Sequence, residues 1–346
     1  MPVLRDSSLL TKKMTIQEIE SACDASQPLD FSRHFMEGPE LTLQAGFSPF
    51  GFPAEVRTNS AEVLSHFAEI WRRFEPRFSA QTIRVDVHVV EGSSTECPPA
   101  PSFHTLQQTM VYVADADNYG VIHFGRNQSQ VSVSKAALRH KLYLRSFFLE
   151  VTAWAHIRTK YMTPVHAGCV ALDGRGVLLC GDAGAGKSTL SYACARAGWT
   201  YITDDASHLM NDSDDRLVWG PCHKVRFRPA TAELFPELRG QELTPRMEGK
   251  PSIEMETASL PMVCAPSAQA DFLVFLNRRA GGPPELLPYR KDVARYYMRQ
   301  IHGTPESLPV HHQAIERLLM VPVFELRYSD LDWAIDRLRT LVREGC

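Results

Sequence analysis

No stretch of this 346-residue chain is apolar for long enough to span a bilayer, and its opening Met1-Pro2-Val3-Leu4-Arg5-Asp6 lacks the hydrophobic centre of a secretory leader. A cytoplasmic protein without membrane contact is expected. Cationic excess is missing too: the formal net charge of −3 argues against a general nucleic-acid binder. The eight cysteines, at 23, 97, 169, 180, 194, 222, 264 and 346, form no C-x-x-C pair, and the thirteen histidines form no H-E-x-x-H. Reduced thiols are therefore expected, with Cys169, Cys180 and Cys194 as small buried hydrophobes, and no structural metal is indicated. Internal repeats and low-complexity tracts are absent. What is present, 44% hydrophobic residues with moderate charge, suffices for one large or two ordinary globular domains.

One segment carries chemistry. Gly181-Asp182-Ala183-Gly184-Ala185-Gly186-Lys187-Ser188 is a complete G-x-x-x-x-G-K-[ST] phosphate-binding loop, followed by Thr189. Its glycines let successive backbone N–H groups converge on a phosphate, Lys187 can reach the terminal phosphates, and the Ser188 hydroxyl suits Mg²⁺. The apolar run Gly176 to Cys180 precedes it as a buried strand, and Ser188 to Ala197 is rich in helix formers, with Gly198 placed as a C-cap. The loop thus opens a helix, whose N-terminus favours anions. A second strand, Trp199 to Thr203, runs into Asp204-Asp205. Laid beside the loop strand, it would set both carboxylates near the phosphates, one for Mg²⁺ and one to accept a hydroxyl proton. Asp204 is the favoured general base and Asp205 the metal-side carboxylate, although the sequence does not separate the two roles.

These residues, with His166-Ala167-Gly168-Cys169-Val170-Ala171-Leu172 one strand ahead of the loop, resemble the catalytic core of HPr serine kinase/phosphorylase. That family in turn resembles phosphoenolpyruvate carboxykinase in its nucleotide site. The order histidine, loop, single helix, paired aspartates carries the resemblance, which covers roughly residues 164 to 343. It implies ATP and Mg²⁺ as cofactors, His166 with Asp204 and Asp205 at the metal and proton-transfer centre, and a serine of a protein or peptide as acceptor. After the aspartates, HPr kinases carry a glycine-rich Glu-Ile-Arg-Gly signature tied to phosphorylase activity. This chain instead reads Trp219-Gly220-Pro221-Cys222-His223-Lys224-Val225-Arg226-Phe227-Arg228-Pro229, closer to the HPr-kinase-related proteins found among peptide-modification genes.

In that basic strand a period of two puts Lys224, Arg226 and Arg228 on one face. Such a face is ordinarily solvated, but Arg226 and Arg228, with Lys250 in its Gly249/Pro251 loop, are candidates for contacting the acceptor.

The fold class expected is α/β, a phosphate-loop kinase core of the HPr kinase/phosphoenolpyruvate carboxykinase type behind a smaller N-terminal α+β domain. Residues 1–38 form an extension with a helix near Ile16 to Ala22. Residues 39–134 are the small domain, with a helix over Ser60 to Phe74, strands at Leu41–Phe47, Ile83–Val90, Met110–Val113, Val121–Phe124 and Val131–Val133, and a loop over Gly92–Ser102. Residues 135–163 read as a linking helix, Lys135 to Lys160, and residues 164–346 as the ATP-binding domain, with strands at Phe272–Leu276 and Val321–Leu326 and a last helix from Asp330 to Val342 capped by Ser329. Two function classes besides a serine kinase stay open: a non-catalytic nucleotide-binding scaffold or regulator, and a small-metabolite kinase. The role of the first domain, homo-oligomerisation and any reverse phosphorolysis stay open as well.

Overall fold

The structure, a computed structural model, describes residues 18, 21, 25, 38–212, 215–244, 251–279, 281–301 and 303–345. The chain is mixed α/β and divides into two compact units, Met1–Ile157 and Arg158–Cys346. The helix expected near Ile16–Ala22 lies outside the described residues, apart from residues 18 and 21. None of the described helices is long and apolar enough to cross a membrane.

The first unit holds strands β1 (Leu43–Phe47), β2 (Ala54–Thr58), β3 (Ile83–Val90), β4 (Ser102–Leu106), β5 (Thr109–Val113), β6 (Tyr119–His123) and β7 (Gln128–Ser134), in one sheet ordered β1-β2-β3-β7-β6-β5-β4. β2, β3 and β7 run parallel at its middle. Helix α1 (Ala61–Trp71) buries Val63, Phe67, Ile70 and Trp71, a single stripe at helical spacing. Phe47 of β1 meets the Phe67 and Trp71 rings at 6.1 and 5.9 Å.

The single helix expected over Lys135–Lys160 is broken. α2 (Lys135–Arg139), capped by Ser134 Oγ accepting from Ala137 N–H, stops where His140 leaves helical geometry (φ −102°, ψ 69°). α3 (Lys141–Leu144) follows, then a π-helical turn over Arg145–Leu149, then α4 (Glu150–Lys160). Phe147, Phe148 and Leu149 are all buried in this turn.

The second unit contains β8 (Met162–Leu172), β9 (Arg175–Cys180), α5 (Lys187–Arg196), β10 (Thr200–Thr203), β11 (Ala206–Met210), β12 (Leu217–Trp219), β13 (Lys224–Phe227), β14 (Leu243–Thr244), β15 (Ser252–Glu256), β16 (Val263–Cys264), β17 (Ser267–Arg278), β18 (Glu285–Pro288), α6 (Lys291–Met298), α7 (Leu308–Leu318), β19 (Val323–Tyr328) and α8 (Leu331–Glu344). Nine of these strands form one sheet, and β13-β15-β14 a second, small one. β8 and β17 are long, and each serves neighbours in succession. The first half of β8 pairs with β11, its second half with β9 on one side and β10 on the other. β17 pairs first with β12, then runs parallel to β9 and β19. β9 is buried on both faces, which explains its continuous apolar run. Val177 and Leu179 join a core with α5 and α8, whereas Leu178 and Cys180 join one with α6 and α7.

Two sequence expectations need correction here. The aspartate strand β10 does not lie beside the loop strand β9, because β8 sits between them. The cap of α8 is Asp330 and not Ser329: its backbone is extended and its Oδ1 accepts from Trp333 N–H at 2.7 Å, so the helix starts one residue later.

Two buried histidines give the unit an acid sensitivity. His311 Nδ1 lies 2.9 Å from Thr163 Oγ1, which itself donates to Asn211 Oδ1 at 2.6 Å, so Nδ1 carries the ring's proton and Nε2 is left without a partner. Burial, reinforced by Arg158, lowers His311 to about 4 and His208 to about 3. The unfolded chain therefore binds more protons than the folded one between the ordinary histidine range and pH ~4, and stability is lost as pH falls through that window. The thermal midpoint is expected to drop as the pH falls from ~6.5 to ~4, and to drop less steeply in His208→Gln. An unchanged slope in that variant would assign the sensitivity to other groups.

Candidate active site

The turn after β9 needs glycine at three places. Gly181, Gly184 and Gly186 have φ of +146°, +94° and +100°, the region that side chains disfavour. Space is short as well: a Cβ on Gly181 would come within 2.9 Å of Ala185 Cβ, and one on Gly186 within 2.7 Å of Tyr328 Oη. Gly186 then caps α5, whose first intrahelical bond of the kind Leu190 N–H to Gly186 O (2.8 Å) leaves the N–H groups of Lys187, Ser188 and Thr189 without helical acceptors. Asp182, Ala183 and Gly184 are exposed at the rim, while Lys187 is only 5% exposed.

Lys187 folds back across the loop it belongs to. Its Nζ donates to Gly181 O at 2.7 Å and to His166 Nε2 at 3.0 Å, and lies 3.5 Å from Asp205 Oδ1. Because His166 Nε2 faces an ammonium, the neutral ring carries its proton on Nδ1, which is 3.4 Å from Asp205 Oδ1. Lysine, histidine and aspartate thus meet within one shell, brought there from α5, β8 and the end of β10.

Asp204 lies in different surroundings. It is 8% exposed, accepts from Tyr201 Oη at 3.1 Å and from Arg226 N–H at 3.3 Å, and is hydrogen-bonded by the Ser188 hydroxyl. Burial raises its pKa above the ordinary carboxylate value, and the neighbouring Asp205 charge adds to the rise, against the lowering effect of its three donors. The close approach of β8, β10 and α5 that makes this cluster rests on Gly168, where a Cβ would lie 2.4 Å from Ser191 Oγ and 3.0 Å from the Asp204 carbonyl oxygen. Gly168→Ala is expected to destabilise by roughly 1–3 kcal/mol and to displace Asp204. A thermal midpoint matching the parent's would show that the space relaxes.

The other sequence candidates do not join this cluster as free cations. The period-two face of β13 forms as expected, yet β15 lies opposite it with Glu256 facing Lys224 and Glu254 facing Arg226. Arg226 Nε is 3.0 Å from Glu254 Oε1, and Lys224 Nζ is 3.4 Å from Glu256 Oε1. Arg226 still touches the site, through its backbone N–H. Arg228 is exposed beyond the end of β13, and Lys250 lies outside the described residues. Tyrosines were missed. Tyr201, within the aspartate strand, bonds Asp204 and also Lys224 O at 3.0 Å, and Tyr328 donates to Ala185 O at 3.4 Å. The rule that ligands lie at the carboxyl ends of parallel strands would have flagged Tyr328, the last residue of β19.

The donor set fits a Mg²⁺–nucleotide. Orphan amides at a helix start and a buried ammonium suit phosphate oxygens. A serine hydroxyl with one or two carboxylates is the sparse protein contribution that Mg²⁺ takes when phosphates supply the rest.

No family model matches the chain. Among solved structures it is similar to the Hpr(Ser) kinase/phosphatase from Coxiella burnetii, at 16% identity over 53% of this chain and 99% of that one, with a TM-score of 0.29. In sequence it is similar to HPr kinase/phosphorylase from Lachnoclostridium phytofermentans, 30% identical over 95 residues, 28% of each chain, so it spans well under two thirds of that relative's length. That match, together with the order of His166, the loop and the paired aspartates, supports an HPr kinase-related protein.

Proposed function

We propose that this chain is an ATP- and Mg²⁺-dependent kinase that transfers the γ-phosphoryl group to a hydroxyl, in the first instance a serine of a protein or peptide, and that it works in the cytoplasm. Residues 164–346 would be the catalytic domain with a phosphate-loop core, 135–163 the link, and 39–134 a smaller domain. The observation that carries the reading is the meeting of Lys187, His166 and Asp205 at the mouth of the glycine turn, with Ser188 against Asp204 beside them.

Bound there, Mg²⁺ would neutralise charge on the phosphates. The chain's own residues would do the rest. The loop amides and Lys187 would hold the phosphate oxygens. Ser188 and the buried Asp204 are the pair placed for the metal side. Asp205, half exposed and next to His166 Nδ1–H, is placed to take the proton of an incoming hydroxyl. This division reverses the one favoured from sequence, because Ser188 chooses Asp204 as its partner. A serine hydroxyl is a weak nucleophile, so positioning and a nearby base are what the reaction requires of the protein.

The test is incubation of the full chain with γ-labelled ATP, Mg²⁺ and serine-containing peptides or proteins, including those encoded beside its gene, with identification of the labelled residue. Label on serine is the expected result. Tight ATP binding with no labelled product from any hydroxyl acceptor would overturn the kinase reading in favour of a nucleotide-binding scaffold.

A further inference from the structure

β10 belongs to the nine-stranded sheet and β13 to the small one, and the side chain of Tyr201 ties them together. Its ring is fully buried, in a core shared with Val225 and Phe227 of β13. Gly220 lets the chain pass close to β10 before β13 begins: a Cβ there would lie 2.7 Å from Thr203 Cβ and 2.8 Å from Ile202 O. The Tyr201 hydroxyl then stands between two acceptors, Asp204 Oδ1 at 3.1 Å and Lys224 O at 3.0 Å. The core needs only the ring. A phenol oxygen taken out of water costs free energy unless it is bonded, and here one of its partners is a carboxylate of the site.

Asp204 is held at both of its oxygens. Oδ1 accepts from Tyr201, and Oδ2 accepts from Arg226 N–H at 3.3 Å, so the two donors come from different strands. A carboxylate bonded at one oxygen can still turn about its Cβ–Cγ bond; bonded at both, its plane is fixed. The Arg226 bond is the longer of the two and belongs to the backbone, so the phenol is the part of this clamp that a substitution can remove. An ionised carboxylate offers about four lone-pair sites, so room for a cation remains once both donors are seated.

We propose that Tyr201 is a positioning residue: its hydroxyl, set between Lys224 O and Asp204 Oδ1, fixes the plane of the Asp204 carboxylate so that a free lone pair faces the Mg²⁺ of the bound nucleotide. The proposal rests on the reading above that Asp204 lies on the metal side, and it adds the group that orients it there. Partners that orient a metal ligand in this way ordinarily change metal affinity by about 10–100-fold.

The experiment compares the intact parent protein with Tyr201→Phe and Tyr192→Phe. The second variant removes another phenol hydroxyl of the same core, one that donates to Glu237 Oε1 at 2.7 Å. Mn²⁺ is titrated into each stoichiometric protein–ATP complex and followed by electron paramagnetic resonance, and ATP binding is measured separately without metal. In Tyr201→Phe the Mn²⁺ affinity is expected to fall by about tenfold or more while metal-free ATP affinity stays within about twofold, and Tyr192→Phe is expected to match the parent in both. A smaller fall in Tyr201→Phe, an equal fall in Tyr192→Phe, or an equal loss of metal-free ATP binding would overturn the assignment. A parent that binds ATP but takes up no Mn²⁺ beside it would instead remove the metal reading, and the role of Tyr201 with it.

Discussion

Lys187→Ala is expected to lower phosphoryl transfer by roughly 10²–10³-fold, the loss that accompanies removal of one preorganised charge-stabilising donor. The geometry explains why nothing substitutes for it. The nearby cations Arg226 and Lys224 are held by Glu254 and Glu256. The substitution also removes the donor to Gly181 O, so Lys187→Met, which keeps the side-chain volume, should accompany it. Label transfer and MgATP affinity measured on both variants check the prediction. Transfer within tenfold of the parent in either would remove Lys187 from the reaction.

Asp204→Asn is expected to abolish transfer to a similar degree and, at the same time, to raise the thermal midpoint. The native carboxylate is buried next to a second carboxylate, which costs stability at pH values above its raised pKa. Asparagine keeps the shape and can satisfy Arg226 and Tyr201. Its oxygen would accept from Arg226 N–H, its amide would donate to Tyr201 Oη, and that phenol would donate onward to Lys224 O. Each kcal/mol relieved corresponds to about 2–4 °C for a unit of this size. Differential scanning calorimetry beside the labelling assay is the measurement. A lower midpoint would mean that the ionised form is held by more than these donors. The sign of the pH dependence follows: in the parent, the folded state gains stability as pH falls through the raised Asp204 value, and the variant lacks that gain.

The loop, its helix and Asp204-Asp205 were legible in the sequence because their requirements are local. Glycine tolerance of positive φ, an uncapped helix start and a strand ending in acids are properties of neighbouring residues. What could not be read locally depends on pairing between distant segments. That β8 separates β10 from β9 is a matter of sheet order, and the neutralisation of Arg226 by Glu254 depends on the β13–β15 register. The burial of Asp204 beside a half-exposed Asp205 is a difference that two adjacent identical residues cannot reveal. The break in the helix expected over Lys135–Lys160 falls at His140, whose non-helical backbone (φ −102°, ψ 69°) the helical spacing of its neighbours does not reveal.

The position of β8 has a consequence for how this chain can change by insertion and deletion. β8 is continuous through His166, with β11 pairing before that point and β9 and β10 after it. Side chains alternate along a strand, so loss of one residue anywhere between Met162 and His166 would either turn the histidine inward or shear the β11 pairing from the rest. The turn Asp173-Gly174 that follows is different, since a Cβ on Gly174 meets nothing within 4 Å. Length variation should therefore accumulate at that turn and be purged from the strand, and a library of single-residue deletions scored for labelled product would map the boundary between the two to within a residue or so.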